Sequence, residues 1–479
     1  MISKRFAKAN NPFSQNYDPT ELTRFLIYLD ANNLYGWAMS QHMPVGDFTW
    51  LKEEEINHFH DNIKNILDLL DDDEYGYIFE VDLEYPTELH ELHNDYPLAP
   101  ERIKIYKDLL SPFQKKRFPE YQLKQEHQKL TPNLRDKKNY VVHYRNLKFY
   151  IQQGLKLTAI HNVLKFKQKA WLKEYIDYNT SCRSRAKSAF EKDFYKLMNN
   201  SAFGKTNENL RNRINVEIIT DRKTALKRVA KPSFERSQII RDDLVIIQNK
   251  VTSLLLNKPL YVGFTVLELS KLLMYEFHYE KMLQRYSKIN LCFTDTDSLL
   301  YEVFTDDIYK DMLENVNDYD FSDYPFEHPL YNKKNKKVIG KFKDELNGII
   351  LEEFIGLRPK CYSLLFLGKV EDNIIKDYKL REKQKSKGIK EKVKLIHLRH
   401  SHYKKCLNDL NTISVNQNII KSKKQTLSTY HIQKVALTAF DTKRWICDDN
   451  INTRAHGHYT SLYDEFIDYV HTHCKELRL

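Results

Sequence analysis

Glycine and proline are scarce in this chain of 479 residues, at 12 and 14. That scarcity argues against a linker-rich protein and for a compact one. No internal repeat and no long low-complexity tract is present. The six cysteines (Cys182, Cys292, Cys361, Cys406, Cys447 and Cys474) lie far apart and form no C-x-x-C pair. They are expected to be reduced, mostly buried thiols of an intracellular protein. No apolar run approaches the roughly 18 residues of a membrane helix. The basic start, Met1-Ile-Ser-Lys-Arg-Phe-Ala-Lys8, has no apolar stretch behind it, so no secretory signal is read there. The expectation is a soluble intracellular protein without a membrane partner, in a compartment left open between nucleus and organelle.

What the chain has is length for roughly two to four structural lobes, abundant Tyr (31) and Phe (25), and a formal net charge of +11. The basic balance points to a polyanionic partner without saying which.

Short β-like runs are separated by long helical and charged stretches. Phe25-Leu-Ile-Tyr-Leu29 is an unbroken apolar run of strand length ending at Asp30. From about 47 to 150 the pattern is irregular, with an acidic run from Asp71 to Glu74, a strand-like Tyr77-Ile-Phe-Glu-Val81 and prolines at Pro86, Pro97 and Pro100. This stretch is expected to be an insertion between core elements. Residues 160–211 are expected to be helical, with Phe190, Phe194, Leu197 and Ser201 on one stripe. Leu291–Thr294 and Leu299–Val303, joined by a short polar turn, predict a hairpin. Basic patches follow, first at Lys333, Lys334, Lys336, Lys337, Lys341 and Lys343. A second runs from Lys376 through Lys379, Arg381, Lys383, Lys385, Lys387, Lys390 and Lys392 to Lys394. The end is expected to be helical.

Chemistry is concentrated at four places. Asp295-Thr-Asp297-Ser298 sets two carboxylates at i and i+2, where extended backbone points both the same way. Magnesium takes hard oxygen ligands, commonly one or two carboxylates together with substrate phosphates. A two-metal site needs a carboxylate from a second segment, and Asp30 offers it. The turn after Asp30 could hold phosphate oxygens on its amides, with Tyr35 walling off a sugar. On a helix, Lys196, Asn200 and Phe203 share a face, a ledge suited to a triphosphate at one end and a stacked base at the other. Lys360 and Tyr362 alternate at the start of a strand, facing one side, as contacts to a nucleic-acid backbone would require. His456, His458, His471, His473 and Cys474 could in principle bind zinc, but a surface histidine cluster is the better reading.

In this order the segments resemble the protein-primed branch of family B DNA polymerases, found in linear plasmids, viruses and self-synthesising transposons. The family's first motif, D-x-x-S-L-Y-P, stands as Asp30-Ala-Asn-Asn33-Leu34-Tyr35-Gly36. Its K-x-x-x-N-S-x-Y-G motif stands as Lys196 to Gly204, D-T-D-S is intact from Asp295 to Ser298, and K-x-Y runs from Lys360 to Tyr362. The resemblance implies an α+β right-hand fold with an antiparallel palm, helical fingers and a basic thumb that tracks duplex phosphates. Its expected parts are palm 1–46, an insertion 47–150 contacting DNA and a terminal protein, fingers 151–255 with a second insertion, palm 256–365, and thumb with C-terminal region 366–479. It implies catalytic Asp30, Asp295 and Asp297, with Asp30 and Asp297 holding two Mg²⁺ ions (Mn²⁺ a substitute). It implies dNTP contacts from Asn33, Leu34, Tyr35, Lys196, Asn200 and Phe203. DNA or primer contacts are implied for Ser201, Gly204, Thr296, Ser298, Lys360 and Tyr362.

Asn33, Gly36 and Phe203 depart from the family's Ser, Pro and Tyr. The stretch before Phe25 is too short for a 3′–5′ exonuclease domain, so the chain is expected to be a gene fragment, a domesticated remnant or a polymerase lacking proofreading, with DNA-directed DNA synthesis the expected activity. The rivals are a catalytically idle DNA-binding remnant of a transposon or viral polymerase, and a reverse transcriptase or RNA polymerase.

Overall fold

The computed structural model describes residues 1–123, 127–369 and 378–461. Strand β1 (Phe25–Ala31) extends the apolar run, so Asp30 lies inside the strand and not beyond it. Helix α1 (Leu34–Met39) and strand β2 (Met43–Trp50) follow. The stretch 47–150 is not irregular. It supplies β3 (Tyr75–Glu84), β4 (Lys137–His143) and several short helices. Strand β5 (Lys156–Lys169) occupies the place where helix was expected from 160. Its Lys165-Phe166-Lys167-Gln168 alternation buries Phe166 and Gln168 only, a period of two that the helical reading overlooked. These strands form an antiparallel sheet of order β2-β5-β3-β4.

Helix α2 (Lys173–Arg185) and helix α3 (Ala189–Thr206) come next. Helix α3 opens with a capping box, in which Ser188 Oγ accepts from Glu191 N and the Glu191 carboxylate accepts from Ser188 N. The stripe Phe190, Phe194 and Leu197 faces solvent, where a packed face would have been the ordinary outcome; Phe190 is 78% exposed. A three-stranded sheet then intervenes, β6 (Asn215–Ile219), β7 (Phe234–Arg241) and β8 (Leu244–Asn249), in the order β7-β8-β6. The apolar helix α4 (Leu260–Glu276) returns to the core.

The predicted hairpin is β9 (Ile289–Thr294) and β10 (Ser298–Val303). Beyond it lie β11 (Phe342–Asp344), β12 (Leu351–Arg358), β13 (Cys361–Lys369) and β14 (Tyr378–Ser386). The central antiparallel sheet runs β9-β10-β1-β12-β13-β14, with β11 also on β1. Strands β1 and β10 are buried along nearly their whole length, which explains their long apolar runs. Phe25, Ile27 and Leu29 join Leu299 and Tyr301 in one cluster, while Leu26 and Tyr28 join Phe293, Leu300 and Phe354 in another.

Helix α5 (His400–Asp409) packs on the far strands through His400, whose Nδ1 lies 2.8 Å from Ser363 Oγ and whose Nε2 lies 2.9 Å from Glu353. The expected helical end instead begins with a long hairpin, β15 (Ile413–Lys423) and β16 (Thr426–Leu437). Lys424 and Gln425 take the two left-handed conformations that a tight two-residue turn demands. The hairpin tip touches the three-stranded sheet: the Gln238 amide and Thr426 hydroxyl are 3.1 Å apart, and Gln425 Nε2 donates to Gln248 Oε1 at 2.9 Å.

His456 and His458 are buried, not on the surface; His456 Nε2 lies 2.9 Å from the Thr442 carbonyl. His471, His473 and Cys474 lie outside the described residues, as does Lys376. Cys292, Cys361 and Cys406 are buried and unbridged. Of the second basic patch, Lys385, Lys387, Lys390 and Lys392 are exposed. Lys394 is buried against Glu391 and the Gln384 carbonyl, so it has no charge to offer a phosphate. No helix among the described residues is long and apolar enough to cross a membrane.

Candidate active site

Strand pairing brings the two acidic segments together. Ser298 of β10 is registered with Asp30 of β1, and Ala31 N donates to the Asp297 carbonyl at 2.7 Å. The hairpin tip is tight: Asp295 N donates to Ser298 O and Asp297 N to Asp295 O, with Thr296 left-handed at φ 67°. Asp30 and Asp297 open into one cleft of about 480 Å³, which also takes in Asn33, Leu34, Tyr35, Lys196 and Asn200. Segments far apart in sequence thus meet in one place.

The acidic end is charged beyond what its surroundings hold comfortably. Burial, with the neighbouring Asp297 carboxylate, pushes the Asp30 carboxyl up to about 7, against the pull of Lys343. Burial also raises Asp297, while Lys196 is among the charges drawing it back. Lys343, registered with Asp30 on the other side of β1, lies 3.6 Å from Asp30 and 3.1 Å from Glu345. Glu345 is held below the usual carboxylate range: burial raises it, but Lys343 and Lys383 outweigh that. Asp295 turns aside to pair with Lys360 at 2.8 Å.

The opposite end is cationic. Arg183 from α2, Lys196 from α3 and Lys337 from the loop before β11 line the same cleft. None of the three makes an ion pair among the described residues, and the Nε of Arg183 and the Oγ1 of Thr180 are buried without partners. Unpaired polar atoms of this kind are costly in a closed site unless a ligand satisfies them.

Between the two ends, the rings of Tyr35 and Phe203 stack at 4.4 Å, joining α1 to α3. Asn33 precedes α1 in a left-handed conformation (φ 47°), which Asn tolerates. Its amide folds over Gly36, where a Cβ would come within 2.1 Å of Asn33 Nδ2. The two departures from the first motif therefore accommodate each other. The side chain of Leu34 is buried in the core, leaving its backbone for the cleft.

Other predicted residues lie elsewhere. Ser201 and Gly204 fall on the solvent side of α3: Ser201 Oγ donates to the Met198 carbonyl, and a Cβ on Gly204 would meet nothing. Ser298 and Tyr362 are buried; Tyr28 Oη lies 3.4 Å from Ser298 Oγ and 3.2 Å from Tyr362 Oη. Lys360 occupies the β12–β13 turn at φ 61°, so it and Tyr362 do not present themselves on one open strand face. Sequence reading missed Thr180, Arg183, Asp323 and Glu345, and took Lys337 and Lys343 only as members of a basic patch. Helical spacing could have offered one signal, since Thr180 and Arg183 are an i, i+3 pair.

Among the described residues no group of three or more carboxylate, imidazole or thiolate side chains gathers as a ready-made metal cage. Two half-buried carboxylates, both raised by burial, do fit a hard divalent cation, because magnesium commonly takes one or two carboxylates and completes its shell with substrate phosphates and water.

Residues 16–261 match the family model for DNA polymerase type B, organellar and viral. The chain belongs to that family. Among solved structures, phi29 DNA polymerase in an orthorhombic crystal form matches at 15% identity with a TM-score of 0.50, covering 91% of this chain and 64% of that one. Phi29 DNA polymerase complexed with primer-template DNA, in a post-translocation binary complex, matches at 14% identity and a TM-score of 0.49, over 90% and 64%. This type B chain therefore spans about 64% of the phi29 enzyme's length and shares its α+β polymerase fold. No curated protein matches it.

Proposed function

We propose that the chain is a DNA-directed DNA polymerase that transfers the nucleotidyl group of a dNTP to a primer hydroxyl in the cleft between β1 and the β9–β10 hairpin. The observation that carries this reading is the union of two carboxylates raised by burial and neighbouring acidic charge, Asp30 and Asp297, with Lys196 and Arg183, which make no ion pair among the described residues, in one cleft. The acidic end attracts cations, the basic end a polyanion, and a metal–triphosphate satisfies both.

Asp30 and Asp297 would hold Mg²⁺, which when bound neutralises developing phosphate charge and lowers the pKa of the attacking hydroxyl. Lys196 and Arg183 hold the triphosphate and fix it in line. The Tyr35 ring, braced by Phe203, sits where a 2′-hydroxyl would collide, selecting deoxynucleotides, and Asn200 borders the nascent base pair. Lys360 draws Asp295 away from the other two carboxylates, and Asp295 assists from the rim. Tyr362 acts from beneath, through Tyr28, and positions the primer end without lying open to it. Exposed lysines at 385–392 would follow duplex phosphates, with affinity falling steeply as salt rises. The natural priming hydroxyl is a primer 3′-OH or one supplied by a terminal protein.

Primer extension with Mg²⁺ tests this, using dNTPs or rNTPs on matched DNA and RNA templates. Extension with dNTPs on DNA is expected. Preference for RNA template or rNTPs would place the chain with reverse transcriptases or RNA polymerases. Salt-sensitive DNA binding without extension would favour an idle remnant.

A further inference from the structure

The loop from Tyr319 to Lys341 belongs to none of the four motifs, yet it is tied to the nucleotide cleft with unusual care. Asp320 accepts from Asn32 Nδ2 and from Lys337 N, each at 2.8 Å. Asn32 N in turn donates to the Lys341 carbonyl, and Gly340 N donates to the Asn32 carbonyl, both at 2.8 Å. Asn32 lies two residues beyond Asp30, so the loop is fastened to the backbone that carries a catalytic carboxylate. Gly340 is left-handed (φ 78°) and lies so close to Trp37 that a Cβ would come within 2.5 Å of its ring. This fastening fixes Lys337, itself left-handed at φ 56°, over the outer end of the cleft.

Lys337 is half-buried and its amine makes no hydrogen bond or ion pair among the described residues. Burial lowers its pKa, and the Lys192 and Arg183 charges lower it further, with Asp323 opposing. Arg183 of α2, Lys196 of α3 and Lys337 of the loop line one cleft with Asp30 and Asp297, and the exposed Asp323 is the carboxylate that opposes the lowering of Lys337. A cation held half-buried among like charges calls for an anion to compensate it.

We propose that Lys337 is a phosphate-binding residue that grips the terminal phosphate of the nucleoside triphosphate, and the pyrophosphate product, from the loop before β11. The proposal rests on the polymerase reading for its substrate. Lys196 approaches from the helix, Lys337 from the loop, and the phosphate chain lies between them. Asp320 and Asn32 are positioning residues that hold the loop in place.

Calorimetric titration of the whole chain with inorganic tripolyphosphate and Mg²⁺ tests this without DNA or turnover. Lys337→Met is expected to weaken binding about tenfold, the loss of one charge-assisted contact, and Lys337→Arg to restore most of it. Asp320→Asn, with Lys337 intact, should weaken tripolyphosphate binding less and leave duplex DNA affinity unchanged. In primer extension, Lys337→Met should raise the KM for dNTP and weaken pyrophosphate inhibition together, with little change in primer-template affinity. Equal tripolyphosphate affinity in wild type and folded Lys337→Met would overturn the proposal. Weakened binding in the variant beside a wild type that extends no primer would uphold the anion site and reject the polymerase reading.

Discussion

Two antiparallel hairpins of this molecule differ in nearly everything but topology. The β9–β10 hairpin is short, wholly buried along β10, and clamped between β1 and the N-terminal residues: Thr294 N donates to the Met1 carbonyl, and Ser3 N to the Cys292 carbonyl. The β15–β16 hairpin is twice as long, buried only near its base at Val415, Gln417, Ala436 and Leu437, and exposes Ile420 and Leu427 at 73% each. The first is anchored by core packing, so its tip can hold two carboxylates close together. The second is anchored only at its base and by amide contacts at its tip, well away from the carboxylates. Core packing is invested where the acidic side chains must be fixed, and the long hairpin is left largely exposed.

The largest effects should come from the rigid hairpin. Leu300→Ala should cost about 2–5 kcal/mol, whereas Leu427→Ala should stay within about 0.5 kcal/mol, both read from denaturant midpoints. Similar losses at the two sites would remove the contrast. Next, Lys196→Met should lower kcat/KM for dNTP by about 10²-fold or more while leaving DNA affinity nearly intact, read by steady-state extension.

A third effect concerns pH. Because Asp30 titrates near 7 in the fold and near its ordinary value of 3.8 when unfolded, the folded state favours its protonated form. The stability it contributes is complete below the ordinary value and is lost as pH rises through about 7. In chelator, wild type should therefore lose Tm between pH 4 and pH 8 relative to Asp30→Asn, and Mg²⁺ should narrow that gap. The smallest effect should be at the long hairpin's tip: Gln425→Ala should leave Tm unchanged and shorten the products made per binding event, measured with a DNA trap. Unaltered product length would mean that the contact to Gln248 does not steady the arm.

Strands β1, β9 and β10 were readable because each carries an apolar run ending in a marked turn, as in Phe25–Leu29 and Leu299–Val303, whereas β12 with Glu352 and Glu353 and the charged β14 carry no such signal. The cleft's acidic and helical members were readable through motif spacing. Of the 43–169 sheet only Tyr77–Val81, inside β3, was readable, because β2 and β5 pair with bulges and the period-two alternation in β5 is confined to a short stretch. Nor did the run Phe190, Phe194 and Leu197 disclose that it faces solvent, since spacing reports a shared face but not what covers it. Glu345, Lys343 and Lys337 enter the site through the pairing of β11 with β1 and the fastening of its loop to Asn32, neither of which leaves a local signature. Tyr362 was misread for a related reason: its ring turns inward to Tyr28 and Phe293.

The most direct test of the central claim is rapid-quench incorporation of one correct dNTP onto a DNA primer-template, in wild type, Asp30→Asn and Asp297→Asn. Each substitution should slow incorporation by about 10³-fold or more with DNA affinity within a few-fold of wild type. A variant of either residue that incorporates at close to the wild-type rate would contradict the assignment of this cleft as the place where nucleotides are joined.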